Sequence, residues 1–328
     1  MQKNKALSGL RGLVVFLIVF HHYSCRYGEI FTGPMSIQFP FDSSFGGIIG
    51  NIVFFVMTGF FMAKSLLVGE GGIKAIFNYS INRYWRFWPT YAIAVLLISI
   101  VLYFLPLPGR SDSLSLTTVM VDFFCIYHPG FDNIDGSHWF LSSLLIIQIG
   151  LSFVLLVKNQ IKRKILIIAL FVILFIIYVL GSLGIHFLVN HLPSIFYSFL
   201  VLTGILIYIF KDAHWVWIPA VVEIFLLLLF ENNIIITVSV SFLLILFVLM
   251  IQRPNLFSII GSKIIVKVGD VSFAWYLLHQ NIGYVVMFYL LPKGEISLLW
   301  LLIPMCTTFL LAFLTTLLVD RLPKKLLE

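Results

Sequence analysis

Residues 165–180 read Ile-Leu-Ile-Ile-Ala-Leu-Phe-Val-Ile-Leu-Phe-Ile-Ile-Tyr-Val-Leu. Wound at 3.6 residues per turn, this stretch is apolar on every face, and residues 242–251 behave the same way. Such a helix satisfies its own backbone hydrogen bonds and keeps no side for water. The surrounding chain has 328 residues, 61% hydrophobic, 16% aromatic and only 11% charged, with mean hydropathy +1.07. A soluble domain carries roughly a quarter of its residues as charges, so most of this chain is solvated by lipid. A membrane β-barrel would alternate in polarity over ~10-residue segments, which this sequence does not do. The expected fold class is therefore all-α, a polytopic bundle of about ten transmembrane helices.

Apolar runs at 11–25, 46–66, 87–105, 139–157, 165–183, 194–210, 215–230, 234–251, 267–290 and 297–318 are the expected spans. With the N-terminus in the cytoplasm, only Arg26, Arg110 and Lys293 of the 21 Lys and Arg fall outside, leaving eighteen within. The positive-inside rule then places both termini in the cytoplasm of a multi-pass inner-type membrane. The same bias accounts for the net charge of +7. Basic residues scattered over helix ends do not read nucleic acid. Lys3 and Lys5 before the first apolar run suggest a signal sequence, but no small-residue cleavage site follows, so an uncleaved first helix is expected. The longest outer stretches are 26–45 and 106–138, the second holding Pro106, Pro108, Pro129 and a short interfacial helix over Thr117–Tyr127. A single integral-membrane domain over 1–328 is expected, with no separate soluble domain. Cys25, Cys125 and Cys306 are too few for a disulfide framework and show no metal-ligand spacing. A Cys25–Cys125 bridge is weaker than the reading of two small apolar residues.

Polar groups held in a bilayer are expensive and mark function by default. His22 lies eleven residues after Arg11, within about 20° of three full turns, so both point one way, about 16 Å apart along the axis. His21 is turned some 80–100° from that face. A fixed cation at the inner rim and a proton-transfer group near mid-membrane thus share one wall. Asn82-Arg83-Tyr84-Trp85-Arg86-Phe87-Trp88-Pro89-Thr90-Tyr91 is expected to open the third helix at the inner face. Arg83 and Arg86, three apart, suit clamping phosphates, although basic residues beside Trp are also ordinary interfacial anchors. A second tier follows: His138 and Trp139 open the fourth helix, and Ser272, Tyr276 and His279 run through the ninth. Glu223, inside the seventh, offers no partner in the sequence and is expected to sit neutral.

These segments resemble a known family. Leu10-Arg11-Gly12-Leu13, with ten residues between Arg11 and His22, is similar to the arginine-x10-histidine signature of the integral-membrane acyltransferase-3 family. Phe54-Phe55-Val56-Met57-Thr58-Gly59-Phe60 resembles its "FFVxSGF" helix, with Thr58 where Ser is usual. Arg83-Tyr84-Trp85-Arg86 with Pro89 and Tyr91 looks like its R-x-x-R segment, and Ser272 to His279 resembles its "SYxxYLxH" helix. The resemblance implies acyl transfer, usually acetyl from acetyl-CoA, to a hydroxyl on a carbohydrate or other envelope acceptor. It implies Arg11 and His22 as the essential arginine and histidine, and Arg83 and Arg86 as the paired arginines. One departure stands out: many members carry an acidic "SxExQ" patch after a Trp, whereas Trp139 here is followed by Phe-Leu-Ser-Ser.

On this reading acyl-CoA is a donor substrate, with no permanently bound cofactor and no metal. Its phosphates meet Arg11, Arg83 and Arg86, and its thioester reaches His22. His22 serves either as general base or as an acylated relay. The acceptor is a carbohydrate or lipid-linked glycan, membrane lipids surround the chain, and a homo-oligomer is compatible with the sequence. The rival reading, a transporter or flippase, lacks a repeat and paired broken helices. A scaffolding protein would not need Arg11 and His22 in phase.

Overall fold

A computed structural model describes residues 5–31, 35–36, 44–125, 133–182, 195–231, 233–292, 294–295 and 298–321. Lys3, Tyr127, Pro129, Lys293, Lys324 and Lys325 lie outside the described residues. The first helix, α1 (Lys5–His21), continues into a π-turn (His22–Arg26) and one more helical turn (Tyr27–Ile30). There follow α2 (Ser44–Val68), α3 (Ile73–Phe104), the short α4 (Leu116–Phe123), α5 (Trp139–Ser152) and α6 (Gln160–Ser182). The remainder is α7 (Ile195–Phe210), α8 (Trp217–Phe230), α9 (Ile234–Gln252), α10 (Lys263–Leu290) and α11 (Leu302–Asp320). Among the described residues the sole strand pairing is a two-residue parallel bridge, Met35–Ser36 with Gly294–Glu295.

The chain is an all-α polytopic membrane protein. Among the described residues seven helices are long and apolar enough to cross a membrane, those in α1, α2, α3, α5, α6, α9 and α11. Phe196–Phe210 and His214–Leu228 are apolar but shorter. The 28-residue α10 has the length, but His279, Gln280 and Asn281 interrupt its centre. Each expected apolar run falls on its own helix, and α4 lies where the interfacial helix was expected, its N-terminus capped by Ser115 Oγ accepting from Thr118 N.

One expectation needs correcting. Asn82–Tyr91 does not open the third helix; α3 begins at Ile73, so Arg83 and Arg86 sit well inside a 32-residue helix that runs through Pro89. Hydropathy marks where hydrocarbon ends, and a helix with adequate propensity continues beyond that edge.

The chain divides into two compact units. The first comprises 1–50, 84–142 and 259–328. In it α1 runs parallel to α10, since Gly12 meets Gly269 and His22 meets Tyr284 further along both helices. The backbones approach so closely that a methyl on Gly12 would stand 2.8 Å from the Gly269 nitrogen. Small residues that admit such contact are how helices associate when lipid removes the hydrophobic drive. On another side of α10 lies α11, where Thr308 Oγ1 accepts from Trp275 Nε1 at 3.1 Å. The aromatic middle of α3 holds the end of α4, through Trp88 Nε1 to Phe123 O (2.9 Å) and Tyr84 Oη to Phe124 O (3.1 Å).

The second unit comprises 51–83 and 143–258. Gly59 of the Thr58-Gly59-Phe60 segment abuts the Val201 backbone, and Gly204 abuts that of Val56, so α2 and α7 cross at glycines. Arg163 is fully buried and donates to the carbonyls of Leu66, Gly69, Val157 and Lys158, tying the end of α2 to the turn after α5. Glu223, without an expected partner, accepts from Thr203 Oγ1 at 3.4 Å.

Candidate active site

The π-turn that opens at His22 is where the site begins. A wider turn within a helix frequently marks function, and here it follows directly on the α-helical stretch that carries Arg11. The half-buried Arg11 donates from Nε (3.1 Å) and Nη2 (2.5 Å) to the Gly269 carbonyl on α10. Ser272 Oγ donates to the same oxygen at 2.7 Å. That use by its own helix leaves Ser272 a structural partner of Arg11. The carboxylate of Asp270 and the cation of Arg86 are the charges that act on Arg11. Arg83 belongs to the second unit, where its Nη2 donates to Ser65 Oγ (3.1 Å) and its guanidinium lies over the Tyr79 ring.

Further along, His22 Nδ1 stands 3.1 Å from Tyr284 Oη. Its ring meets that of His279 edge-to-face, with centroids 4.8 Å apart and planes at 79°. His21 faces elsewhere: a methyl on Gly47, in α2, would come 3.4 Å from its Nε2. Thus His21 lies against α2, while His22, the next residue in the chain, meets Tyr284 and His279 of α10.

The fully buried His279 is fixed on several sides. Its Nδ1 lies 2.6 Å from the Tyr276 carbonyl, and its own carbonyl accepts from Tyr23 Oη at 2.7 Å. The loop before α5 closes over the same stretch of α10. Asp135 Oδ2 accepts from Asn281 N (2.9 Å), and Asp135 Oδ1 accepts from Ser137 N (2.9 Å) and Ser137 Oγ (2.7 Å). Asn281 Nδ2 donates to Ile134 O at 2.6 Å, Tyr276 Oη to Ser137 O at 2.9 Å, and His138 Nε2 to Leu277 O at 3.3 Å. The carbonyl of Leu277 and the N–H of Asn281 are the two ends of one rung of the helical ladder. One loop therefore supplies side-chain partners to both ends of the rung that flanks His279.

Asp122, at the end of α4, anchors this loop by accepting from Ile134 N at 2.7 Å. His138 is fully buried against the Tyr91 ring, and its Nδ1 lies 3.8 Å from Asp122 Oδ2, an ion-pair distance too long for a hydrogen bond. Burial disfavours its cation, yet Asp122 and Asp135 outweigh burial, and His138 titrates above its ordinary value. Cys25 and Cys125 are both free thiols. Burial pushes Cys125 up to about 11, so it stays a protonated, unreactive thiol near neutrality.

A family model described as an acyltransferase domain, acyltransferase-3, matches residues 4–318. The chain belongs to the acyltransferase-3 family. It is a membrane acyltransferase, and its family match runs through both compact units. No curated protein and no solved structure matches the chain.

In this acyltransferase three consecutive residues of α10 each leave a buried polar atom without a protein partner: His279 Nε2, Gln280 Oε1 and Asn281 Oδ1. Such atoms call for water or ligand. Among the described residues no three His, Cys, Asp or Glu side chains gather as a metal site. Of the expected residues, the first unit brings together Arg11, His22, His138, Tyr276 and His279 around α10, with Ser272 behind Arg11. Trp139 is half-buried at the start of α5, packing on Phe140. Sequence reasoning missed Tyr284, Tyr23, Asp135, Asn281 and Asp122. An intramembrane Asn beside an intramembrane His was a usable signal for Asn281.

Proposed function

We propose that this acyltransferase moves an acyl group, most simply acetyl, from cytoplasmic acyl-CoA to a hydroxyl of a cell-envelope glycan or similar acceptor. On this reading ten helices cross the cytoplasmic membrane and both termini lie inside, as the eighteen-to-three sorting of basic residues supports. The observation that carries the proposal is the parallel pairing of α1 with α10. It anchors Arg11 at one level through the Gly269 carbonyl and sets His22 against Tyr284 and His279 at another. The donor's phosphates are matched by guanidinium groups, Arg11 and Arg86, because a planar fork suits phosphate oxygens.

His22 then removes the proton from the acceptor hydroxyl as its oxygen attacks the thioester carbon. The carbon–sulfur bond breaks, and the proton passes on to the departing thiolate. General-base help of this kind is worth about 10²–10⁴-fold. An acyl group carried on His22 itself would split the same transfer into two steps. His22→Ala should leave a folded, donor-binding protein with at least ~10²-fold less transfer. His21→Ala should chiefly cost stability, about 1 kcal/mol for one interhelical hydrogen bond. Matched amounts of folded protein decide the matter: near-normal turnover in His22→Ala beside a dead His21→Ala would sink the assignment.

A further inference from the structure

His279 carries information that its place in a motif does not. Its Nδ1 lies 2.6 Å from the carbonyl oxygen of Tyr276. A carbonyl oxygen only accepts, so Nδ1 bears the hydrogen, and in neutral imidazole the other nitrogen is then a bare lone pair. That nitrogen, Nε2, is buried and has no partner from the protein. The ring of His22 lies beside it. His22 itself is not locked in this way, because its neighbour Tyr284 Oη both donates and accepts.

When His22 takes a proton it becomes a cation whose ring faces His279 and Tyr284 on α10, with His21 beside it in the chain. Asp135, the nearby carboxylate, is engaged by Ser137 and by the Asn281 N–H. In a serine–histidine–aspartate triad the aspartate orients the imidazole and stabilises the imidazolium. Here Tyr284 Oη holds the His22 Nδ1, and the bare nitrogen belongs to His279, whose ring lies edge-to-face against that of His22.

We infer that His279 is a positioning residue for His22: its tautomer is fixed by the Tyr276 carbonyl, and its bare Nε2 orients and stabilises His22 as that ring receives the proton. The inference rests on the base role proposed for His22. His279 takes no net proton; the hydroxyl proton still travels through His22 to the leaving thiolate. The Asp135 loop serves the same end by pinning α10 on both sides of His279.

Two near-isosteric substitutions separate this from a packing role, because the oxygen of Gln reaches the place of Nε2 whereas the amide of Asn reaches that of Nδ1. His279→Gln should keep kcat within about tenfold of wild type. His279→Asn and His279→Phe should lose about 10²-fold in kcat, the low end of a base's contribution, with unchanged KM for the acyl donor. If Asn is active and Gln is dead, the bond to Tyr276 is all that matters and the inference is overturned. Equal losses in Gln and Asn, or an active Phe variant, overturn it too. The tautomer is read apart from activity by the imidazole ¹⁵N spectrum of His22→Ala: Nδ1 of His279 protonated and Nε2 bare is expected, and the reverse refutes the inference. Wild type that transfers no acyl group in the same assay would count against the proposed function, while the spectrum would still judge the tautomer.

Discussion

Replacing Gly12 by Ala tests how the site is held. The new methyl would stand 2.8 Å from the Gly269 nitrogen and 3.1 Å from both the Gly269 Cα and the Val268 carbonyl carbon. All three are backbone atoms, so no rotamer change relieves them. An ordinary contact begins near ~3.5 Å, so α1 and α10 must part by roughly 0.7 Å. Overpacking of this kind costs about 1–3 kcal/mol. Alanine returns about 1 kcal/mol of helix propensity. Parting the helices also stretches the bonds from Arg11 to the Gly269 carbonyl, now 3.1 and 2.5 Å. Hydrogen bonds from a charged group are worth about 1.5–3 kcal/mol, so their loss brings the net destabilisation to about 1.5–5 kcal/mol. Gly150→Ala is the control: it is an exposed glycine inside α5 with nothing within 4 Å of its added methyl, and it should be neutral or stabilising by up to ~1 kcal/mol. Thermal unfolding in detergent, with acyl transfer measured alongside, reads both variants. A Gly12→Ala protein that melts with wild type and keeps its activity would refute the tight parallel pairing.

The loop before α5 carries two further predictions. Asp135→Asn turns an amide donor toward the N–H groups of Ser137 or Asn281, which should lower stability by about 1–3 kcal/mol and cut kcat with donor KM unchanged; an unchanged Tm and kcat would show that the loop does not hold α10. His138 titrates above its ordinary 6.5 in the folded protein, so the stability it gains from Asp122 and Asp135 is complete below 6.5 and fades as pH rises through the raised value. The Tm difference between wild type and His138→Gln should therefore shrink as pH rises above 6.5, and a difference that grows with pH would contradict the ion pair.

The membrane class and the helix positions were legible because hydropathy reports the solvent directly, and residues 165–180 admit no other solvent than lipid. The neighbourhood of Arg11 and Gly12 was half legible: helical phase put Arg11 and His22 on one wall, but nothing local says that the wall is α10, some 260 positions away. Asp135 stayed invisible for the same reason, since its partner Asn281 is 146 positions distant. The early start of α3 was lost because helix and hydrocarbon need not end together. Ser272 looked like part of a reactive face, yet its hydroxyl is used by a carbonyl of its own helix, a competition that spacing alone does not reveal.

The proposed transfer needs a cytoplasmic acyl-CoA to supply the group and His22 to move it. Purified protein in sealed vesicles, given acetyl-labelled CoA on the face that carries its C-terminus, should label an envelope-glycan fraction. His22→Ala, at equal folded amount and equal donor binding, should label it at least ~10²-fold more slowly. Label that appears at the wild-type rate with His22→Ala, or only when the donor is supplied on the opposite face, would contradict the account.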